Sequence, residues 1–187
     1  IHQLLIELNQ PFELVFVDFG KNQQRSAEFL ALNPQGRVPV LADGTITISE
    51  SAAILLYLTE KHQCLAPKAT STKRAAFLQQ IVFLTNNLAP QFRLWFYPPD
   101  LGFSDYPPVL NQQLQQNIAE IWQQLDQHLT HNGPYLLGED FSAADLLLIM
   151  YMRWSRNMPQ TALEWPALRR LADLVRARPS WQQLYQR

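Results

Sequence analysis

The residues best suited to chemistry fall in two short runs, Asn33-Pro34-Gln35-Gly36-Arg37-Val38-Pro39-Val40-Leu41 and Ile48-Ser49-Glu50-Ser51-Ala52-Ala53-Ile54. The first is a turn that feeds a short apolar strand through a Val-Pro bond. The second sets a carboxylate and a hydroxyl at a helix start, where unpaired N–H groups and the helix dipole favour an anion. Together they suit the backbone and carboxylate of a small peptide. Each run also has a plainer use: Val38-Pro39 can simply begin a strand, and Glu50 and Ser51 can simply occupy a first helical turn.

The elements that must position these runs are short. Ile1, Leu4, Leu5 and Leu8 recur at helical spacing, which predicts an amphipathic helix over 1–9, ended by Asn9-Gln10-Pro11. Phe12 to Asp18 is rich in aromatic and β-branched residues and reads as a strand. Residues 25–32 suit a short helix, stopped by Asn33-Pro34. Val38 to Ala42 and Thr45 to Ile48 read as strands joined through the turn signal Asp43-Gly44, and Ser49 reads as the cap of a helix running to about His62.

The pattern then changes. Residues 63–70 lack periodicity and read as a linker, so the expected division is 1–62, a linker at 63–70, and a helical domain over 71–187. A long helix over 71–96 is expected to kink at Pro90, and another starts at Pro108, where a missing N–H costs nothing. Ser142 and Asp145 stand at capping-box spacing, ahead of an apolar run, 146–152, that predicts a helix buried on every side. Two terminal helices are expected near 165–177 and 179–185.

Composition narrows the classes. The 187 residues are 47% apolar and 17% charged, with a net charge of −1, which argues for a packed core and against disorder. There is no basic block, so nucleic acid is not an expected partner. No apolar run approaches the roughly 20 residues that span a bilayer, and no secretory signal is visible. Cys64 is the only cysteine, which rules out an internal disulfide or a cysteine-based metal cluster. It is expected to be incidental. His2, His62, His128 and His131 show no metal-ligand spacing with acids and are expected to face solvent.

Taken together, Asn-Pro-x-Gly-x-Val-Pro-x-Leu, Ser49-Glu50-Ser51, the Ser142–Asp145 box, and the run from Arg153-Trp154 through Trp165-Pro166 to Arg178-Pro179-Ser180 resemble the glutathione transferases, near the bacterial beta class. The resemblance covers nearly the whole chain. It implies a thioredoxin-like α+β N-terminal domain followed by an all-α domain. It also implies a cis Val38–Pro39 bond, with the Val38 backbone meeting the cysteinyl part of glutathione. Glu50 and Ser51 would hold the γ-glutamyl end, and Lys21 the glycyl carboxylate.

For activity, the resemblance implies that the glutathione thiolate is conjugated to a hydrophobic electrophile, as in detoxification. Phe92, Trp95, Phe96, Tyr106 and Arg153 are candidates for the electrophile's pocket, although aromatics this dense usually mean core. Ser142 and Asp145 are read as structural. Glutathione is the expected co-substrate, with no metal, in a cytoplasmic homodimer. Disulfide reduction, glutathione-dependent isomerisation or dehalogenation, and a non-catalytic binding module on the same fold remain alternatives.

Two departures stand out against the family pattern. Family members begin with a strand that carries, or is followed by, a catalytic Tyr, Ser or Cys. Ile1 already lies at the first helix, so an upstream strand is expected and no catalytic residue is assigned. Ala89 also stands where many similar bacterial sequences have a histidine, which weakens a role for His beside the sulfur.

Overall fold

The computed structural model describes residues 1–185. They form two compact units, Ile1–Cys64 and the chain from Leu65 onward.

The first unit opens with α1 (His2–Glu7), which buries Gln3, Leu4 and Leu5. A single 3-10 turn, Gln23–Arg25, leads into α2 (Ala27–Leu32). Ser26 caps that helix, its hydroxyl accepting the Phe29 N–H at 3.2 Å. Two strands follow, β1 (Val40–Asp43) and β2 (Ile46–Ser49), paired antiparallel with Val40 opposite Ser49 and Asp43 opposite Ile46. Gly44 supplies the left-handed turn residue at φ +61°. Helix α3 (Ser51–His62) buries Ile54, Leu55, Leu58 and Thr59, a stripe at helical spacing. Its outer turns are tied to the hairpin at Asp43. The Tyr57 hydroxyl donates to that carboxylate at 2.9 Å, and Lys61 pairs with it. The Lys61 hydrogen bond, then that of Tyr57, holds the Asp43 carboxyl below its ordinary range.

Two expectations fail in this unit. Residues 12–18 form no strand. A strand is stable only when its N–H and C=O groups are paired, and no strand among the described residues lies alongside. Phe12, Leu14, Val15 and Phe16 are accordingly exposed. The second failure is the cap of α3. Ser49 is spent in the ladder opposite Val40, and the N-cap position falls to Glu50, whose side chain makes no capping bond.

The second unit is helical. Helix α4 (Arg74–Phe83) and α5 (Ala89–Phe96) are joined by a π-helical turn, Leu84–Leu88. Pro90 explains it: in a regular helix its ring would strike the carbonyl of residue 86, and it has no N–H to donate. One wider turn absorbs the conflict where a simple kink was expected. Helix α6 (Pro108–Asn132) starts on its proline and buries Leu114, Ile118, Trp122, Leu125 and Leu129. Helix α7 (Ala143–Trp154) buries nine of its 12 residues. The chain continues through α8 (Pro166–Arg176) and α9 (Pro179–Tyr185).

Because α7 starts inside the unit, water cannot satisfy its first N–H groups. Ser142 and Asp145 satisfy them reciprocally. Ser142 Oγ accepts from Ala144 N–H at 3.3 Å, and the Asp145 carboxylate accepts from Ser142 N–H at 2.8 Å and from its hydroxyl at 3.0 Å. A histidine expected in solvent is also engaged here. His128 is half-buried, with Nε2 2.9 Å from the Leu136 carbonyl. Among the described residues no helix is long and apolar enough to cross a membrane.

Candidate functional site

The hairpin register decides what the two runs can do together. With Val40 opposite Ser49, Val38-Pro39 and Glu50-Ser51 leave the sheet at the same end. The Val38–Pro39 bond is cis. Val38 is half-exposed, and neither its N–H nor its C=O has a hydrogen-bond partner among the described residues. An unpaired backbone donor and acceptor on one residue is what an added extended segment needs.

Glu50 is backbone-strained. It sits at φ 70°, ψ 119°, outside the regions that L side chains ordinarily populate. Such conformations cost on the order of 1–3 kcal/mol and cluster at functional sites. The carboxylate is solvent-exposed at the N-terminus of the 12-residue α3, with Ser51 as the first helical residue.

The turn before Val38 is built from within by Asn33, which is buried. Its side-chain amide donates to the Arg37 carbonyl at 2.7 Å, and its side-chain oxygen accepts the Gln35 N–H at 3.1 Å. Gly36 stands at φ +64°, where a side chain would be strained. Lys21 is exposed and 3.7 Å from the Asp18 carboxylate. It lines a shallow cleft of about 620 Å³ with Asp18, Asn22, Gln23, Arg25 and Ser26.

The aromatic candidates separate in the second unit. Phe92 is fully buried at the centre of a cluster. Phe96 stacks on it at 5.9 Å, Tyr151 stacks at 6.2 Å, and Trp154 meets it edge-on at 5.7 Å. Phe96 and Trp154 are partly exposed, and Trp95 is half-buried. Tyr106 is buried, and its hydroxyl donates to the Leu94 carbonyl at 2.9 Å. Arg153 lies over the Tyr185 ring at 4.0 Å and near Trp181 at 5.7 Å, so its guanidinium is engaged with α9. Cys64 is exposed. Among the described residues no group of three His, Cys, Asp or Glu side chains could hold a metal ion.

Residues 1–60 match the pattern described as glutathione S-transferase, N-terminal domain, and residues 109–184 match glutathione S-transferase, C-terminal domain. The chain belongs to the glutathione S-transferase family. Among its transferase relatives is glutathione S-transferase F10 of Arabidopsis thaliana, 34% identical over 149 residues, covering 76% of this chain and 68% of that one. The disulfide-bond oxidoreductase YfcG of Escherichia coli (strain K12) is 28% identical over 184 residues, covering 94% and 84%. Among solved transferase structures, a ternary complex of BphK, a bacterial GST, superposes with a TM-score of 0.85 at 28% identity, covering 99% of this chain and 91% of that one. A glutathione transferase homolog from Lodderomyces elongisporus, solved with two GSH per subunit, reaches 0.87 at 21% identity, over 99% and 91%, a likeness of fold alone. The fold is thus that of the transferases, an N-terminal thioredoxin-like part and an all-α C-terminal part.

Sequence reasoning missed three features of this glutathione S-transferase family member: the strain at Glu50, the inward role of Asn33, and Trp154 as a member of the Phe92 cluster. A signal existed for the last. Tyr151 and Trp154 are three apart on one helical face. Nothing local announces a positive φ at a glutamate.

Proposed function

We propose that this chain holds glutathione at the shared end of the hairpin and serves a transferase that joins its thiolate to a hydrophobic electrophile. The observation that carries the reading is the unpaired Val38 backbone beside a strained Glu50. The cysteinyl backbone of glutathione pairs with Val38 as a short added strand. Glu50 meets the α-ammonium. The Ser51 hydroxyl and the first N–H groups of α3 take the γ-glutamyl carboxylate, where the helix dipole also favours it. Lys21 is the weaker assignment, to the glycyl carboxylate, because it is exposed and already near Asp18. Phe96, partly exposed on α5, is the aromatic assigned to the electrophile. The reacting thiol must be a thiolate, and no side chain of residues 1–185 is assigned as the donor that stabilises it.

A second reading is reduction of disulfides by thiol exchange, favoured by the YfcG relative spanning most of both chains. Both chemistries use the same binding residues. The test is calorimetric titration of glutathione into the native protein and into Glu50→Ala, followed by assays with an aryl halide and with a small disulfide. Binding that weakens by at least about tenfold in Glu50→Ala supports the site. A folded protein that binds no glutathione overturns it. Turnover of the halide supports transfer, and turnover of the disulfide alone supports the second reading.

A further inference from the structure

We propose that Arg25 is a positioning residue for this site, its guanidinium holding the 33–37 turn from outside so that the Val38 backbone is correctly presented. The inference rests on the glutathione reading above. It adds a residue that reading does not use.

Arg25 stands on a fixed platform. Its own N–H donates to the Asn22 carbonyl at 2.8 Å, the next N–H, of Ser26, donates to Gln23 at 3.0 Å, and the Gln23 side chain accepts the Asp18 N–H at 2.9 Å. From there Nη1 reaches across to donate to the Gln35 carbonyl at 3.3 Å. No carboxylate among the described residues pairs with the guanidinium. The group also lies close over Gly36. A Cβ placed on Gly36 would come within 2.7 Å of Arg25 Nη1 and 2.8 Å of the Gln24 carbonyl oxygen. Glycine at 36 is therefore required twice, by its φ of +64° and by the closeness of the Gln24 carbonyl, with the movable Arg25 guanidinium packed against the same face.

The turn is thus gripped on two sides. Asn33 holds Gln35 N–H and Arg37 C=O from within, and Arg25 holds Gln35 C=O from without. Arg37 is the residue immediately before Val38. Any rotation of the 35–36 peptide displaces the N–H and C=O that the ligand must meet. The exposed 3.3 Å bond from Arg25 restrains that rotation.

A direct contact of Arg25 with the glycyl carboxylate is the rival role, since Arg25 also lines the Lys21 cleft. The two roles separate by ligand and by variant. Glutathione and γ-glutamylcysteine, which lacks the glycine, are titrated into the native protein, Arg25→Ala and Arg25→Lys. The Val38 amide resonance is recorded in each protein without ligand, and thermal melts check folding. Positioning predicts that Arg25→Ala loses about fivefold to tenfold in affinity for both thiols and shifts the ligand-free Val38 amide, and that Arg25→Lys, which keeps a charged donor, recovers part of both. A loss confined to glutathione, or a Val38 amide unmoved in Arg25→Ala, overturns the proposal. Should the native protein bind neither thiol, the glutathione reading fails, and the positioning role still stands or falls on the Val38 amide.

Discussion

The carboxylate of Asp145 accepts the backbone N–H of Leu136, nine residues earlier, at 2.8 Å, while also capping its own helix at Ser142. One buried side chain therefore ties the 133–141 segment to the start of α7. Burial raises the Asp145 pKa from 3.8 to about 6, against the lowering effect of the Leu136 and Ser142 hydrogen bonds. The folded protein thus holds this proton more tightly than the unfolded chain. Its contribution to stability is greatest below about pH 4 and is lost as pH rises through 6. A shift of about two units corresponds to about 3 kcal/mol. Asp145→Asn removes the titration, so its cost, measured by denaturant unfolding, should be larger at pH 4 than at pH 7. A cost that grows with pH would show that the charged form is the preferred one.

Asp126 plays a comparable part at longer range. From α6 its Oδ1 accepts the N–H groups of Ala167 at 2.7 Å and Leu168 at 3.1 Å. Helix α8 has no side-chain cap of its own, because Trp165 occupies that position. Asp126→Ala should cost about 1–2 kcal/mol. Amide exchange at 167 and 168 should rise with it. Unchanged exchange there would place the loss elsewhere.

Glu50→Gly should separate stability from function. Glycine adopts φ 70° without strain, so the variant should gain up to about 1 kcal/mol in thermal or denaturant unfolding. It should bind glutathione more weakly, having lost the carboxylate. A variant less stable than the native protein would mean that the Glu50 side chain supports the fold.

Gly36→Ala should do the opposite at the neighbouring turn. The added methyl meets Arg25 and the Gln24 carbonyl at φ +64°, with an expected cost of about 1–3 kcal/mol. A melting temperature within a degree of the native protein would show that the turn relaxes freely.

Phe92 and Phe96 should respond unequally to truncation. Phe92→Ala empties the centre of a buried ring cluster and should cost about 3–5 kcal/mol. Phe96→Ala removes a ring that is 45% exposed, and its effect should fall mainly on KM for a hydrophobic electrophile. Equal losses of stability would make both residues core.

Much of this molecule follows from local pattern. Pro108 and the buried stripe of α6, the two terminal helices, the Asp43-Gly44 turn and the Ser142–Asp145 spacing are each dictated by residues within one or two turns of each other. The family resemblance rests on the same short runs. Caps, helical stripes and turns are local because the hydrogen bonds and burial that favour them connect neighbours in the chain.

Other features needed the fold. Phe12 to Asp18 has strand composition and forms no strand, because a ladder depends on a partner that composition does not supply. Ser49 suits a cap and serves a ladder, since pairing with Val40 claims it first. Asn33, Arg25 and Gly36 become one device only when a turn and a loop ten residues apart are brought into contact. Residue type and spacing by themselves determined the helices, the hairpin and the family. Tertiary structure alone decided which backbone groups stay unpaired and which side chains are spent on packing, because both depend on neighbours distant in sequence.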